Sequence, residues 1–448
     1  MIIRDDEHDM LRHNKTIGTE TGAENRAVTM NTAGNAEKQR KLLVLSDFDS
    51  RVKWGVSLAA FFQHSCEITV MFEEIPSSIR QRYILPNYTV RQYRDLDPIL
   101  NSSALFEYDY VILALGGSQA VRAMSTIADR QHEFPARPLV IAGFNGLMEP
   151  GDPHGFLCRQ GADIICVNST RDMSFFQELI TEFHLDASPL VLAGYLRQND
   201  RLPALPQNGP PQSILFVEQV GRPSNLRQKI LLMEQLAAYA RAHPTRQLVI
   251  KLRSVEGIRH TNSSKEKHSF RKIWHYTVRP HPTNVVFSYD GTEEILPKMD
   301  LCVSISSTVL FEALEMGIRV AVISDFGIGT HIGNTAFIGS GLFVSLQDLR
   351  DDKIPEVAKE WLQENASFSD TFASDLTTKL AELDEQRAQG TLTPMKLFYD
   401  RSGFPSLYLT KKAQGRFWNW MSILTQMSLY FRRTATKEGS MEKKGADR

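Results

Sequence analysis

The chain reads as an α/β protein built from two consecutive Rossmann-like domains with a cleft between them. Three observations predict this. Short apolar runs of strand length alternate with helical stretches over residues 41–197, a break carrying four prolines follows at 198–212, and the same alternation restarts at Ser213. Parallel strands need crossover helices and are buried on both faces, so they read as continuous apolar runs. A length of 448 residues suits two domains of ordinary size.

Taken in order, residues 1–40 are polar and aperiodic and read as a mobile tail. The first strand is Lys41–Ser46, followed by a helix over Lys53–Phe62 and a second strand over Glu67–Phe72. Asp109–Leu115 and its Gly116-Gly117 turn, Pro138–Gly143 and Asp163–Asn168 supply further strands, and Ser169 or Thr170 caps a helix running to His184. Residues 41–197 form the first domain and the proline-rich segment 198–212 is the linker. The second domain, 213–395, holds strands at Ser213–Val217, Gln247–Leu252, Asn284–Ser288, Leu301–Ser304 and Val320–Ile323. Its helices are expected over Asn225–His243, Ser306–Met316 with Gly317 at the C′ position, and 355–388.

Composition narrows the function class. A net charge of −1 gives no global field to attract nucleic acid, so no nucleic-acid partner is expected. Four scattered cysteines (Cys66, Cys158, Cys166, Cys302) include no CxxC pair, which fits a reducing cytoplasm and argues against a disulfide framework or a cysteine-rich metal site. The acidic N-terminus lacks the apolar core of a signal peptide, and no apolar run reaches the roughly 20 residues of a spanning helix. The protein is expected to be cytoplasmic.

Ligands of open parallel sheets bind outside the carboxyl ends of the strands, which selects a short set of polar loops. The strongest is Ser304-Ile-Ser-Ser-Thr308, running into the helix that carries Glu312. Ser306, Ser307 and Thr308 at a helix start make a phosphate cradle, although one such hydroxyl would serve as an ordinary N-cap. Lys251-Leu-Arg253 ends another strand, with Glu256 and His260 beyond it. Cations there neutralise a departing phosphate, while a solvated strand end is an equal reading for Glu256 and His260. In the first domain, Asp47 and Asp49 follow the first strand with Lys53 nearby, placing a candidate general base beside an acceptor hydroxyl. One of the two aspartates is expected to cap the helix. Glu218, with Gln219 beside it, is a rival base, and the sequence leaves Asp47, Asp49 and Glu218 unranked. Asn145, in the Gly143-Phe-Asn-Gly146 turn, is a further cleft residue. His281-Pro282 precedes a strand and faces the wrong edge, and Asp325-Phe-Gly327 lacks the glycine-rich loop and HRD segment of a kinase. No GxxxxGK[ST] or HExxH occurs.

Five spaced segments carry a family resemblance: Ser46–Trp54, Val167–Arg171, Val249–Arg253, Ser306–Leu314, and Asp325-Phe-Gly327 with Phe337–Leu342. In this order they resemble a bacterial family of largely uncharacterised GT-B glycosyltransferases, over roughly residues 41–350. More distantly, the Ser-Ser-Thr helix start followed by a glutamate is similar to the donor site of capsule-type Kdo transferases and bacterial sialyltransferases. That resemblance implies a serine pair, Ser306 and Ser307, on the phosphate of a CMP-sugar. The His-Pro motif of those enzymes has no match, because the position reads Lys251-Leu-Arg253, so a UDP- or GDP-sugar stays open. The resemblance implies a nucleotide-sugar donor, a glycan or lipid-linked acceptor of the cell envelope, an inverting reaction, and neither cofactor nor metal. A non-hydrolysing nucleotide-sugar epimerase and a silent nucleotide-sensing scaffold share the fold and stand as alternatives.

Residues 396–433 form a C-terminal helical segment and 434–448 a basic tail. Within it, 411–433 sets Phe417, Trp418, Met421, Ile423 and Leu424 on one helical face between basic flanks. Such a helix either lies on an anionic membrane surface, at the inner face of the cytoplasmic membrane, or packs across the two domains.

Overall fold

The computed structural model describes residues 39–73, 75, 77–185, 190–195, 209–219, 221–253, 269–366 and 371–400. The tail, most of the linker, His260 and the segment 411–433 lie outside the described residues.

The first sheet has seven parallel strands, β1 (Arg40–Ser46), β2 (Cys66–Phe72), β3 (Thr89–Gln92), β4 (Tyr110–Ala114), β5 (Leu139–Gly143), β6 (Ile164–Val167) and β7 (Leu190–Leu192), in the order β3-β2-β1-β4-β5-β6-β7. The second has six, β8 (Ser213–Val217), β9 (Gln247–Lys251), β10 (Val285–Ser288), β11 (Leu301–Ser304), β12 (Arg319–Ile323) and β13 (Phe343–Val344), in the order β10-β9-β8-β11-β12-β13. In each sheet the order reverses beside the first strand, between β1 and β4 and between β8 and β11. A crevice opens at such a switch point, outside the carboxyl ends of the strands.

Burial on both faces explains the apolar runs. In β1, Leu43 and Leu45 enter the core on one side of the sheet, while Leu42 and Val44 enter the core on the other. In β8, Ile214 and Phe216 separate from Leu215 and Val217 in the same way. The helices obey their caps: Ser169 Oγ accepts from Asp172 N at 3.1 Å, and Asn225 Oδ1 from Gln228 N at 2.8 Å. Gly317, at φ 69°, lets Ile318 N reach back to Ala313 O at 2.9 Å and end the helix Val309–Glu315. All four cysteines are buried free thiols.

The end of the chain departs from the expected span 213–395. The helix Phe372–Ala388 leaves the second domain and packs on the first sheet, placing Phe372, Leu376, Leu380 and Leu383 beside Leu42, Val44 and Tyr110. Residues Met395 to Tyr399 then cover the opposite face of that sheet. Polar contacts pin this return. The Tyr110 hydroxyl donates to Asp384 at 2.5 Å and Arg387 donates to the Asp109 carbonyl at 2.8 Å. The buried Arg137–Asp163 pair, bidentate at 2.7 and 2.8 Å, also donates to Thr393 O. Amphipathicity marks such a helix as buried without saying against which sheet.

Leu380 is fully buried in the first-domain core. Leu380→Ala is expected to destabilise the first domain's unfolding transition by about 3 kcal/mol, read as a shifted urea midpoint. A midpoint like that of the wild type would contradict this packing.

Candidate active site

The carboxyl ends of the two sheets face each other across a cleft of about 810 Å³. Of the candidates among the described residues, all but Asp47 line it: Asp49, Lys53 and Asn145 from the first domain, and Glu218, Gln219, Lys251, Arg253, Ser306, Ser307, Thr308 and Glu312 from the second.

Asp47 faces inward. It is buried, pairs with Arg51, and accepts from Gly116 N at 3.0 Å, tying the loop after β1 to the loop after β4. The helix Asp49–Ala59 begins two residues later, so Asp49 sits in its first turn on the cleft side with Lys53 one turn on. The two aspartates that the sequence left equivalent thus have different surroundings.

On the opposite wall the expected helix over Ser306–Met316 is shorter, Val309–Glu315, only seven residues. Its dipole is a minor attraction for an anion, and the hydroxyls and nearby cations carry the argument. Ser307 Oγ accepts from Val309 N at 3.3 Å, a local turn just ahead of the helix. Ser306 Oγ accepts from Arg222 at 3.2 Å. Both serines are buried at the base of the cleft. Lys251, at the end of β9, makes only a 3.5 Å contact with the Leu252 carbonyl and has no ion pair among the described residues. Burial pushes its amine below the ordinary range against the pull of Glu293, with Lys53 adding to the lowering and Asp290 and Glu312 opposing it. Glu218 is anchored within its own domain, accepting from Arg253 N at 2.9 Å.

Sequence reasoning missed the group that joins the walls. Glu293 of the second domain accepts from the Tyr83 hydroxyl at 2.6 Å and pairs with Arg82 at 3.2 Å and Lys53 at 3.6 Å. Arg82 also reaches Glu294 at 2.7 Å, and Thr292 donates to Glu312 at 3.0 Å. Burial alone would raise the Glu293 carboxyl, but Lys53, Tyr83 and Arg82 outweigh it and hold it below the usual carboxylate range. Burial alone would lower Lys53, but Glu312, Tyr83 and Glu293 raise it. No strand-end motif marks Arg82, Tyr83 or Glu293, since their pairing exists only once the domains face each other. Arg222, in the loop after β8, was also missed. The discounted Asp325 has a structural task, accepting from Leu346 N at 2.8 Å. Among the described residues no group of three or more His, Cys, Asp or Glu is placed to hold a metal ion.

With this geometry in place, the family model described as "Putative glycosyltransferase (DUF6716)" matches residues 42–383. The chain belongs to that family. The match covers both domains and the cleft. No curated protein matches the sequence. Among solved structures, a "putative UDP-N-acetylglucosamine 2-epimerase" from Listeria monocytogenes is similar at 14% identity and a TM-score of 0.51, over 81% of this chain and all of that one. An Acinetobacter baumannii MurG is similar at 12% identity and a TM-score of 0.44, over 76% of this chain and 99% of that one. The S. aureus MnaA–UDP structure shows 10% identity and a TM-score of 0.49, over 80% and 99% of the two chains. The fold is GT-B: two Rossmann-like domains facing across a cleft.

The interdomain clasp has a pH signature. The depressed Glu293 carboxyl contributes stability above its unfolded pKa near 4.3, lost as pH falls through the folded value. The raised Lys53 contributes below its unfolded pKa near 10.4, lost as pH rises through the folded value. Glu293→Gln is expected to lower the melting temperature at pH 7 and to flatten the acid limb of its pH profile below about pH 5. An unchanged acid limb would mean the clasp contributes nothing to holding the domains.

Proposed function

We propose that the chain is a glycosyltransferase that moves a sugar from a nucleotide-sugar donor to an acceptor hydroxyl of a cell-envelope glycan. One observation carries the reading: a hydroxyl-and-cation wall from the second domain (Ser306, Ser307, Lys251, Arg253) faces a carboxylate from the first (Asp49) across one cleft. Membership of a family described as glycosyltransferases supports it.

The chemistry follows from what each wall supplies. The donor phosphate is received by the serines and by Lys251, whose half-buried amine ends β9 at the same wall of the cleft. The bond between the anomeric carbon and the phosphate oxygen breaks, and the cations neutralise the charge left on the departing nucleotide. The acceptor oxygen attacks from the opposite face, and its proton passes to a carboxylate, inverting the anomeric centre. Asp49 is the base we assign, because it projects from the wall opposite the serines, whereas Glu218 already fixes Arg253 N on the donor side. Closing the cleft excludes water that would otherwise compete as acceptor. The donor's nucleotide is CMP, UDP or GDP, and the same cradle serves all three.

Non-hydrolysing epimerisation is the second reading, and the cleft supplies acids for it in Asp290, Glu293 and Glu312. Product analysis separates the two, since an epimerase converts the nucleotide-sugar without an acceptor.

A nucleotide at about 100-fold over its Kd should stabilise the protein by about 2.7 kcal/mol, a shift of a few degrees in melting temperature. Ser306→Ala/Ser307→Ala is expected to abolish that shift. Asp49→Asn should preserve it while cutting transfer at least 100-fold. No shift with CMP, UDP, GDP or their sugar conjugates would overturn the donor reading, and full turnover in Asp49→Asn would remove it as the base.

The envelope acceptor finds its support in the basic, aromatic segment 411–433, which suits the inner face of a membrane. The full chain should co-sediment with anionic phosphatidylserine vesicles at low salt, and a chain lacking 411–448 should not. Equal sedimentation of the two would withdraw the membrane-proximal acceptor.

A further inference from the structure

We propose that Arg222, seated against Gly333 and hydrogen-bonded to Ser306, is the residue that grips the donor's phosphate directly, an inference that rests on the nucleotide-sugar reading above. Four observations lead there.

Arg222 lines the cleft and donates to Ser306 Oγ at 3.2 Å, so its guanidinium lies at the buried serine pair and not at the cleft mouth. It forms no ion pair among the described residues. In this it differs from Lys53 and Arg82, which are neutralised by Glu293 and Glu294. A planar fork with spare donors beside a hydroxyl pair matches the oxygens of a phosphate, which arginine holds bidentately.

The seat for that fork is built. A Cβ on Gly333 would fall 2.0 Å from Arg222 Nη1, so a side chain there would displace the guanidinium from this place. Gly333 itself sits at φ 75°, a conformation glycine adopts without strain. Its loop is stapled from inside. The fully buried Asn334 donates to Gly327 O at 3.1 Å and accepts from Gly329 N at 3.0 Å. After β8, Arg222 N donates to Gln219 O at 3.1 Å. Segments following β8 and β12 therefore meet where the guanidinium lies over the Ser306 hydroxyl. The segment beginning at Asp325-Phe-Gly327, which has no kinase role, becomes part of this seat.

The test separates phosphate from the rest of the nucleotide. Calorimetric titration of the full chain with CMP, UDP and GDP, and with the matching nucleosides, is compared for wild type, Arg222→Ala, Arg222→Lys and Gly333→Ala. Arg222→Ala is expected to weaken binding of the preferred nucleotide by about 10- to 100-fold while leaving its nucleoside unchanged. Arg222→Lys keeps the charge without the fork and should fall between. Gly333→Ala should weaken the nucleotide in the wild-type background and add nothing to Arg222→Ala, because both remove the same grip. Should Gly333→Ala fail to fold, as its melting curve would show, the two Arg222 variants decide alone. Nucleotide affinity unchanged in Arg222→Ala, or nucleoside affinity falling equally, overturns the inference and leaves the donor reading standing. A wild type that binds no nucleotide overturns both.

Discussion

The Glu293 carboxylate is the contact on which the geometry of the cleft depends. It stands on the second domain and is received by Lys53, Arg82 and Tyr83 of the first. Other contacts cross between the domains, among them Thr335 donating to Glu149 at 2.5 Å and Tyr195 against Phe311, but the Glu293 contact is the one that holds residues of both cleft walls. Because Lys53 lies one turn after Asp49 on the same helix, fixing its ammonium also fixes the carboxylate that faces the serines. The clasp therefore sets the distance across which a base on one wall can act on a substrate held by the other.

The two walls differ in how their charges are satisfied. On the first-domain side, Lys53 and Arg82 already have carboxylate partners. On the donor side, Lys251 makes one long contact with a carbonyl, and burial lowers its amine. Desolvation outweighs the pull of Glu293, Asp290 and Glu312 on that amine, and a phosphate beside it would favour its charged form. In the proposed reaction this asymmetry gives the cleft a direction, with the donor's phosphate at the ends of β8, β9 and β11. The short helix after β11 adds little to that pull.

Burial decided how much of this could be read from residues. Strands covered on both faces, such as β1 and β8, are continuous apolar runs and stand out. The edge strand β3, Thr89–Gln92, is mostly exposed and polar, and β13 has two residues, so neither leaves a pattern. The carboxyl-end rule found most of the cleft because it depends only on strand direction. It could not divide Asp47 from Asp49, since a two-residue difference decides whether a side chain turns back to Gly116 N or out over the helix start. Nor could it find Arg82, Glu293 or Arg222, whose roles come from elements that meet only in the folded chain. The helix Phe372–Ala388 was visible as a helix, but its partner sheet is a matter of tertiary docking.

That docking bears on how the cleft can open. After the second domain the chain passes through the helix Lys359–Asn365, whose Trp361 stacks among Phe311 and Phe337, with ring centroids 5.6 and 5.9 Å away. Phe311 belongs to the helix that follows the serines. The same short helix touches the first domain, where the Thr170 hydroxyl donates to the Glu364 carbonyl at 3.1 Å. The chain then returns to the first sheet, where Leu376 and Leu380 bury fully. Trp361 is thus packed with the wall that carries the serines and Leu380 with the core behind Asp49 and Lys53, so the C-terminal part of the chain is anchored in both domains and any opening of the cleft acts on it.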